Sequence, residues 1–375
     1  MPDRRADIAI IGGGILGLAH AWQAARRGLQ TVVFERRPRA MGASVRNFGM
    51  VWPVGQPSGE MLETALRSRD LWIEVLDASG LPYRPTGSLH AVYNPLEEAV
   101  VREFAEIGPG RGYTCEWVEP EEALKRSSAL VPDGLRGALW SPGELTVDPR
   151  RILADLPAWL AERFGVELQY GSLVRSIGLP RIETSTGVWH AERAIVCAGD
   201  EFQTLYPEVF SESGLVRVKL QMLRTVPQQG WELGPSLAAG LTLRFYKSFQ
   251  ICSTLPAYRE WVAGNLPEYD AWGIHVLASQ TADGAITLGD THEYGDAPDL
   301  FDKTRLDELV LDYAKRFLRL RDWTVAERWH GVYCQHPLQP YFRAEPSPGV
   351  QILTGPGGSG MTLSFGLAER TFQLT

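Results

Sequence analysis

Cysteine is scarce in this chain. Cys115, Cys197, Cys252 and Cys334 are the four in 375 residues, and no two form a CxxC pair. That excludes a disulfide-stapled scaffold and points to a reducing compartment, so a cytoplasmic location is expected. No apolar run reaches the roughly 18 residues of a membrane-spanning helix, and the opening MPDRRAD lacks the apolar core of a signal peptide. Neither a signal peptide nor an integral membrane segment is therefore expected. Excess positive charge is missing too. The 37 Lys and Arg against 45 Asp and Glu leave a formal net charge of -8, which argues against nucleic acid or an anionic lipid surface as partner and leaves room for a local basic pocket. The seven histidines show no HxxxH or HxxH spacing and no carboxylate cluster accompanies them, so no metal site is expected. There is no internal repeat and no low-complexity segment. What remains is the composition of an ordinary globular protein, 44% hydrophobic and 22% charged, long enough for two domains or one large one.

Against these absences stands one dense stretch, DIAIIGGGILGLAHAWQAARRGLQTVVFERR, from Asp7 to Arg37. Ile8 to Ile11 reads as a short buried parallel strand. Gly12, Gly14 and Gly17 then give GxGxxG, apolar and small residues from Ile15 to Ala25 follow at helical spacing, and Gly28 closes the helix. A second strand, Thr31 to Phe34, ends in Glu35. Each glycine has a separate reason: Gly12 permits the tight turn, Gly14 lets backbone approach a pyrophosphate, and Gly17 lets helix and strand pack closely. The helix start offers free N–H groups and a positive dipole end to phosphates, and Glu35 can accept hydrogen bonds from a ribose diol. The spacing predicts a βαβ unit that binds a dinucleotide.

Nicotinamide and flavin proteins share this unit, so the choice depends on segments downstream. MGASVRNFGMVWP, Met41 to Pro53, places the donors Ser44, Arg46 and Asn47 shortly after the second strand. Such a loop can return under the same pyrophosphate and run on to a flavin ring. ERAIVCAGDEF, Glu192 to Phe202, is an apolar strand ending in small residues, which permits close backbone approach at the carboxyl edge of a sheet. ILTGPGGSGMTLSFGLAE, Ile352 to Glu369, reads as a strand, a glycine loop and a helix beginning near Thr362.

Taken together, GGGILG with Glu35, GASVRN, AIVCAGD and GPGGSGMTLSFGLAE make the chain resemble, over nearly its whole length, the D-amino-acid oxidase superfamily of FAD-dependent oxidoreductases, relatives of glycine oxidase and sarcosine oxidase. Met361 stands where that family frequently carries histidine. Within the superfamily, MGASVRNFGMVWP is most similar to a subgroup linked to organophosphonate breakdown. The resemblance implies an α/β fold: a Rossmann-type FAD-binding domain, discontinuous over roughly 1–84, 143–214 and 333–375, and an α+β substrate domain, 85–142 with 215–332, built on a mostly antiparallel sheet. It implies FAD as cofactor, held without a covalent bond because Cys334, the one cysteine near the family's attachment region, has neighbours that do not match. The implied cofactor-binding residues are Gly12, Gly14, Ile15, Gly17, Glu35, Arg36, Ser44, Arg46, Asn47, Val174, Ala198, Gly199, Gly357, Gly358, Ser359, Gly360, Met361 and Thr362. Local patterning of the second domain predicts half-buried strands over Leu215–Val226 and Gly240–Cys252, two strands about an Asp283-Gly284 turn, a helix over Asp302–Leu320, and a strand over Trp323–Tyr333 returning to the FAD domain.

The activity implied is oxidation of a small primary or secondary amine or amino acid: hydride from the amine α-carbon to flavin, imine hydrolysis, and reoxidation by dioxygen to hydrogen peroxide. An aminophosphonate such as 2-aminoethylphosphonate or its N-methyl derivative is the favoured substrate. A flavin dehydrogenase of glycine, sarcosine or a D-amino acid passing electrons to a quinone or protein carrier is one alternative. A non-catalytic flavoprotein subunit, or a tRNA-modifying module that the charge disfavours, is another. In this family no side chain need act as obligatory base, because a pocket that desolvates the ammonium favours the neutral amine. A cation is expected to stabilise developing superoxide, Lys247 in preference to Lys219. Candidates to grip the substrate anion are Arg244, Tyr246, Arg328, Tyr333 and Arg343, with Arg244 and Tyr246 on one face if their segment is a strand. Among His275, His330 and His336, the last, beside Pro337, is favoured for a polar contact near the flavin. Oligomeric state is not legible.

Overall fold

The computed structural model describes residues 4–373. The strand Arg5–Ile11 carries the pattern of a strand covered on both faces, its last four residues all buried. It lies between Thr31–Glu35 and Gly187–Val196, parallel to both. Glu167–Tyr170 extends this eight-stranded sheet on one side in parallel, and Val350–Thr354 pairs in parallel with the end of Gly187–Val196. Gly17 faces Gly12, and a Cβ there would overlap the Gly12 carbonyl. The helix Ile15–Ala25 therefore sits tight on the sheet edge, where the helix Gly360–Gln373 packs on it and on the helix Glu60–Ser79. Trp72 anchors that layer: its ring meets Phe365 edge-on at 4.7 Å, and its indole N–H donates to the Met361 carbonyl at 2.8 Å.

A nine-stranded, mainly antiparallel sheet forms the second layer. Its spine is the long pair Val216–Thr225 and Val325–Gln335. Leu277–Gln280 and Ile286–Gly289 form the expected hairpin, with Gly284 in the left-handed region at φ +85°. The helix Thr304–Phe317 buries Leu306, Leu309, Val310 and Phe317 against this sheet. The first sheet draws its strands from residues 5–35, 167–196 and 342–354, and the second from 88–141, 216–294 and 325–335. The architecture is the α/β plus antiparallel-sheet arrangement the sequence implies.

One segment departs from its pattern. Residues 240–252 are not a strand but two 3₁₀ turns, Gly240–Arg244 and Lys247–Ile251. The strand Ser236–Ala239 stops at Gly240, where a Cβ would run into the Glu97 carboxylate. Backbone bonds then close within the segment, Phe245 N–H to Thr242 O at 3.1 Å and Phe249 N–H to Tyr246 O at 3.3 Å. Leu241, Leu243 and Phe249 are all buried by these turns. Alternating apolar positions are satisfied either way, which is why the pattern misleads.

Glu144 is 3% exposed beneath this layer, accepting from Val54 N–H at 3.2 Å and from the Ser88 hydroxyl at 3.1 Å. Burial pushes its carboxyl from 4.5 up to about 7, against those hydrogen bonds. Between these two values the unfolded chain holds fewer protons than the folded one, so stability is full below about pH 4.5 and declines as pH rises towards 7. The loss amounts to about 3 kcal/mol at most. Glu144→Gln is therefore expected to flatten the fall in melting temperature between pH 5 and 8. Parallel curves for the two proteins would refute the assignment.

Candidate functional site

Two clefts meet where the sheets adjoin. The first, about 340 Å³, runs along the carboxyl ends of the parallel strands, the place where an open α/β sheet receives ligands. Its floor is Gly12 and Gly14, one end is Glu35, Arg36 and Val174, its far wall is Ala198 and Gly199, and it closes on Gly357 and Gly360. Gly12 sits at φ +113° with its α-carbon against the Cys197 carbonyl, so any side chain would overlap backbone. Ser44 Oγ accepts from Ile15 N–H at 3.0 Å at the start of the helix, and Glu35 accepts from Gly13 N–H and Arg37 N–H, each at 3.0 Å. Glu35 is thus held at the mouth of the glycine turn with its carboxylate facing the cleft.

The second cleft, about 560 Å³, continues the first, sharing Ile15, Ser44, Arg46, Tyr333, Gly357 and Gly360 as walls. Asn47, Gly358, Ser359 and Met361 face this one, while Gly17 and Thr362 line neither. Gly17 serves packing, and Thr362 Oγ1 accepts from Trp52 N–H at 2.9 Å. A continuous trough with bare backbone at one end and side chains at the other fits an elongated dinucleotide joined to a reaction chamber. Room exists at Gly12 and Gly14 only because no Cβ fills it.

The substrate-side candidates divide. Tyr246, Lys247, Tyr333 and His336 line the second cleft. Burial pushes the Tyr246 and Tyr333 phenols well above the usual tyrosine range, so both keep their protons. His336 Nδ1 accepts from Leu338 and Gln339 N–H at 3.0 and 2.9 Å, holding its turn together. Lys247 is exposed and makes no ion pair among the described residues.

Three readings of cations are corrected by their surroundings. Arg244 turns away from the clefts to the Asp270 carboxylate and donates to Tyr269 O and Ile274 O, each at 3.0 Å. Because its segment is not a strand, it shares no face with Tyr246. Arg328 pairs with Asp307 at 3.1 Å on the solvent side of its strand. Lys219 is 2% exposed and spent on the 299–302 loop, donating to Asp299 O at 2.7 Å and Phe301 O at 2.8 Å and pairing with Asp302 at 3.0 Å. Arg343 lies outside both clefts, and His330 pairs with Asp302 at 3.0 Å. Arg46, although it lines both clefts, donates to the His330 carbonyl at 2.8 Å.

The structure also assembles a group the sequence reading missed. His275, Asp290 and His292, all buried, line the second cleft with their polar atoms within 4.8 Å of one another. Contrary to the expectation that no carboxylate accompanies the histidines, Asp290 stands beside two. The legible signal was GDTHEY, where Asp290 and His292 alternate just past the end of a strand. His275 joins them only through the fold, by mutual backbone bonds, His275 N–H to Asp290 O at 3.2 Å and Asp290 N–H to His275 O at 2.7 Å.

Comparison with known proteins gives a consistent picture. The family profile described as FAD dependent oxidoreductase matches residues 7–374. The chain is 29% identical over 235 residues to the bifunctional protein ThiO/ThiG of Nostoc sp. (strain PCC 7120), covering 59% of this chain and 35% of that protein. It is 25% identical over 242 residues to glycine oxidase of Geobacillus kaustophilus, covering 59% of this chain and 64% of the other. Each match spans less than two thirds of the relative's length. The crystal structure of glycine oxidase from Geobacillus kaustophilus superposes with a TM-score of 0.78 at 21% identity, over 99% of this chain and 94% of that one. Among the described residues, no helix is long and apolar enough to cross a membrane.

Proposed function

The chain belongs to the family of FAD-dependent oxidoreductases, and from that premise we propose that it oxidises a small amine carrying a separate anionic group, an aminophosphonate such as 2-aminoethylphosphonate or its N-methyl derivative. The observation that carries this reading is the charge content of the second cleft. Among the described residues it has one carboxylate, Asp290, and two cations without an ion pair, Lys247 and Arg46, with the phenols of Tyr246, Tyr294 and Tyr333 around them. A zwitterion with its charges at opposite ends is complementary to such a chamber. Arg244 and Arg328 are engaged outside the cleft, which leaves Lys247, together with the N–H groups of Arg46 beyond its bond to the His330 carbonyl, to meet a phosphonate. The segment Met41–Pro53, whose resemblance to the phosphonate-linked subgroup prompts this choice of substrate, contributes Ser44, Arg46, Asn47 and Phe48 to the second cleft.

The residues present fit FAD. Glu35 would take the ribose diol, the backbone at Gly12–Gly14 and the helix start the pyrophosphate, and Ala198–Gly199 with Gly357–Gly360 the flavin end. When bound, FAD supplies a two-electron oxidant for the carbon next to the substrate nitrogen. Non-covalent attachment is favoured by Cys334. Its thiol donates to the Gly199 carbonyl at 3.2 Å, and burial pushes it up to about 11, so little thiolate forms near neutrality. Tyr246 and Tyr333 remain protonated and offer O–H donors to an anion. The imine product would hydrolyse to a carbonyl compound and an amine, and dioxygen is the proposed final acceptor, giving hydrogen peroxide.

The test is anaerobic mixing of the yellow holoprotein with glycine, sarcosine, D-amino acids, 2-aminoethylphosphonate and its N-methyl derivative. Bleaching at the lowest concentrations by the aminophosphonates is expected, with peroxide released when air is admitted. Bleaching by a simple amino acid alone would overturn the phosphonate reading. Bleaching without peroxide would make the protein a dehydrogenase, and a flavin that no amine bleaches would make it a non-catalytic subunit.

A further inference from the structure

Asp290 is 6% exposed and His275 6%, and the carboxylate Oδ1 lies 3.0 Å from His275 Nε2. Despite that contact Oδ1 accepts no aligned hydrogen bond, and His275 Nδ1 has no partner in the protein. His292 Nδ1 meets the Gly273 carbonyl at 2.9 Å and must donate there, which leaves its Nε2 an acceptor. The rings stack in a row, Phe245 on His275 at 4.3 Å and His275 on His292 at 5.2 Å, so neither imidazole can swing aside without breaking the stack. A buried carboxylate with an unsatisfied oxygen is costly unless a cation completes it. No lysine or arginine does so here, and the carboxylate opens on the substrate chamber.

We propose that Asp290 and His275 form a proton-accepting subsite for the substrate ammonium. This rests on the amine-oxidation reading above. The ammonium docks on Asp290 Oδ1, beside His275 Nε2. One N–H bond then breaks, its electron pair stays on the substrate nitrogen as the lone pair, and the proton passes to the Asp290–His275 pair. The product of the step is a neutral amine, the form whose α-carbon yields hydride, and the chain thereby carries a base of its own. The step changes no oxidation state and needs no co-reactant.

The groups facing this pair are the Phe245 ring and the Tyr246 phenol from the 3₁₀ segment, Tyr294 from its short strand and Tyr333 from the long strand, while Lys247 and His336 line the same cleft. Arg244 lies behind Phe245, its charge engaged by Asp270. Burial raises the Asp290 carboxyl, but the neighbouring His275 and His292 outweigh it and hold the group below the usual aspartate range. Burial lowers the His292 imidazole below its ordinary range, against the pull of the Asp290 carboxylate.

Rapid anaerobic mixing of flavin-loaded holoenzyme with the best amine of the panel, from pH 6 to 11, tests this. Asp290→Asn is expected to slow flavin reduction about 100-fold or more at pH 7, the range of a lost general base. It should then recover roughly tenfold per pH unit towards the amine's own pKa, because the neutral amine now has to come from solution. His275→Gln should show the same alkaline rescue in weaker form. Flavin content and melting temperature confirm that each variant is folded. Wild-type rates in both variants, or a loss that alkaline pH does not rescue, would overturn the proposal. So would a metal ion retained one-to-one by the wild type, lost from Asp290→Asn, whose chelation stops reduction. If no amine bleaches the wild type, the amine-oxidation reading fails first, and this proposal with it. If amines bleach both wild type and variants alike, only this proposal fails.

Discussion

Gly12→Ala protein is expected to purify folded but nearly colourless, with affinity for FAD reduced about 100-fold or more. Two costs combine. At φ +113° an alanine pays the strain of a left-handed backbone, of the order of 1–3 kcal/mol. Its Cβ would also overlap the Cys197 carbonyl, where the strand Gly187–Val196 gives way to Ala198 and Gly199. Relief requires the floor and far wall of the first cleft to separate, and both are surfaces that would grip the dinucleotide. Gly28→Ala is the control. Gly28 has a similar backbone, φ +83°, but open space around its α-carbon, so that variant carries the strain without the overlap and should stay yellow. Visible absorbance and a reconstitution titration read the result. A Gly12→Ala protein as yellow as wild type would remove the glycine turn from the binding site.

Lys247→Met is expected to raise the apparent binding constant for an anionic amine by roughly 10–100-fold, the worth of one charged hydrogen bond. An amine with no anionic group should be little affected. The residue lines the second cleft, is exposed, and supports no ion pair among the described residues, so its removal leaves no buried partner stranded and the fold should stand. Methionine keeps most of the stem and deletes the charge. Stopped-flow measurement separates two roles for this cation. Dependence of flavin reduction on substrate concentration reports the anion contact. The rate of reoxidation by dioxygen reports stabilisation of a developing anion on oxygen. Slower reoxidation with unchanged substrate binding would move Lys247 from the substrate to dioxygen, and no change in either would take it out of the site. Arg244→Ala, the natural test from the sequence, addresses a residue that instead holds Asp270 and the 269–274 turn.

How much was legible depends on how local the determinant is. The glycine turn, its helix and Glu35 form one uninterrupted stretch in which every requirement, a buried strand, bare backbone, a helix start and a terminal acid, is met within 29 residues of sequence between Asp7 and Glu35. The hairpin at Asp283-Gly284 and the helix Thr304–Phe317 were legible for the same reason: turn chemistry and periodicity are properties of neighbours. The 3₁₀ turns at 240–251 were not, because alternation of Leu241 and Leu243 suits any conformation that buries both. What forbids a side chain at Gly240, where the strand stops, is the Glu97 carboxylate, 143 residues away.

The amino-acid sequence by itself determined that a dinucleotide-binding βαβ unit opens the chain and that three glycine-bearing segments accompany it, since short-range sterics and backbone hydrogen bonding decide those features. Only the tertiary structure decided which charges reach the chamber. Arg244, Arg328 and Lys219 are spent on carboxylates and carbonyls brought to them by packing, while Lys247 stays unpaired and His275, Asp290 and His292 meet. A side chain's charge is written in its residue type. Whether that charge is free depends on what the fold buries beside it, and burial is a property of the whole chain.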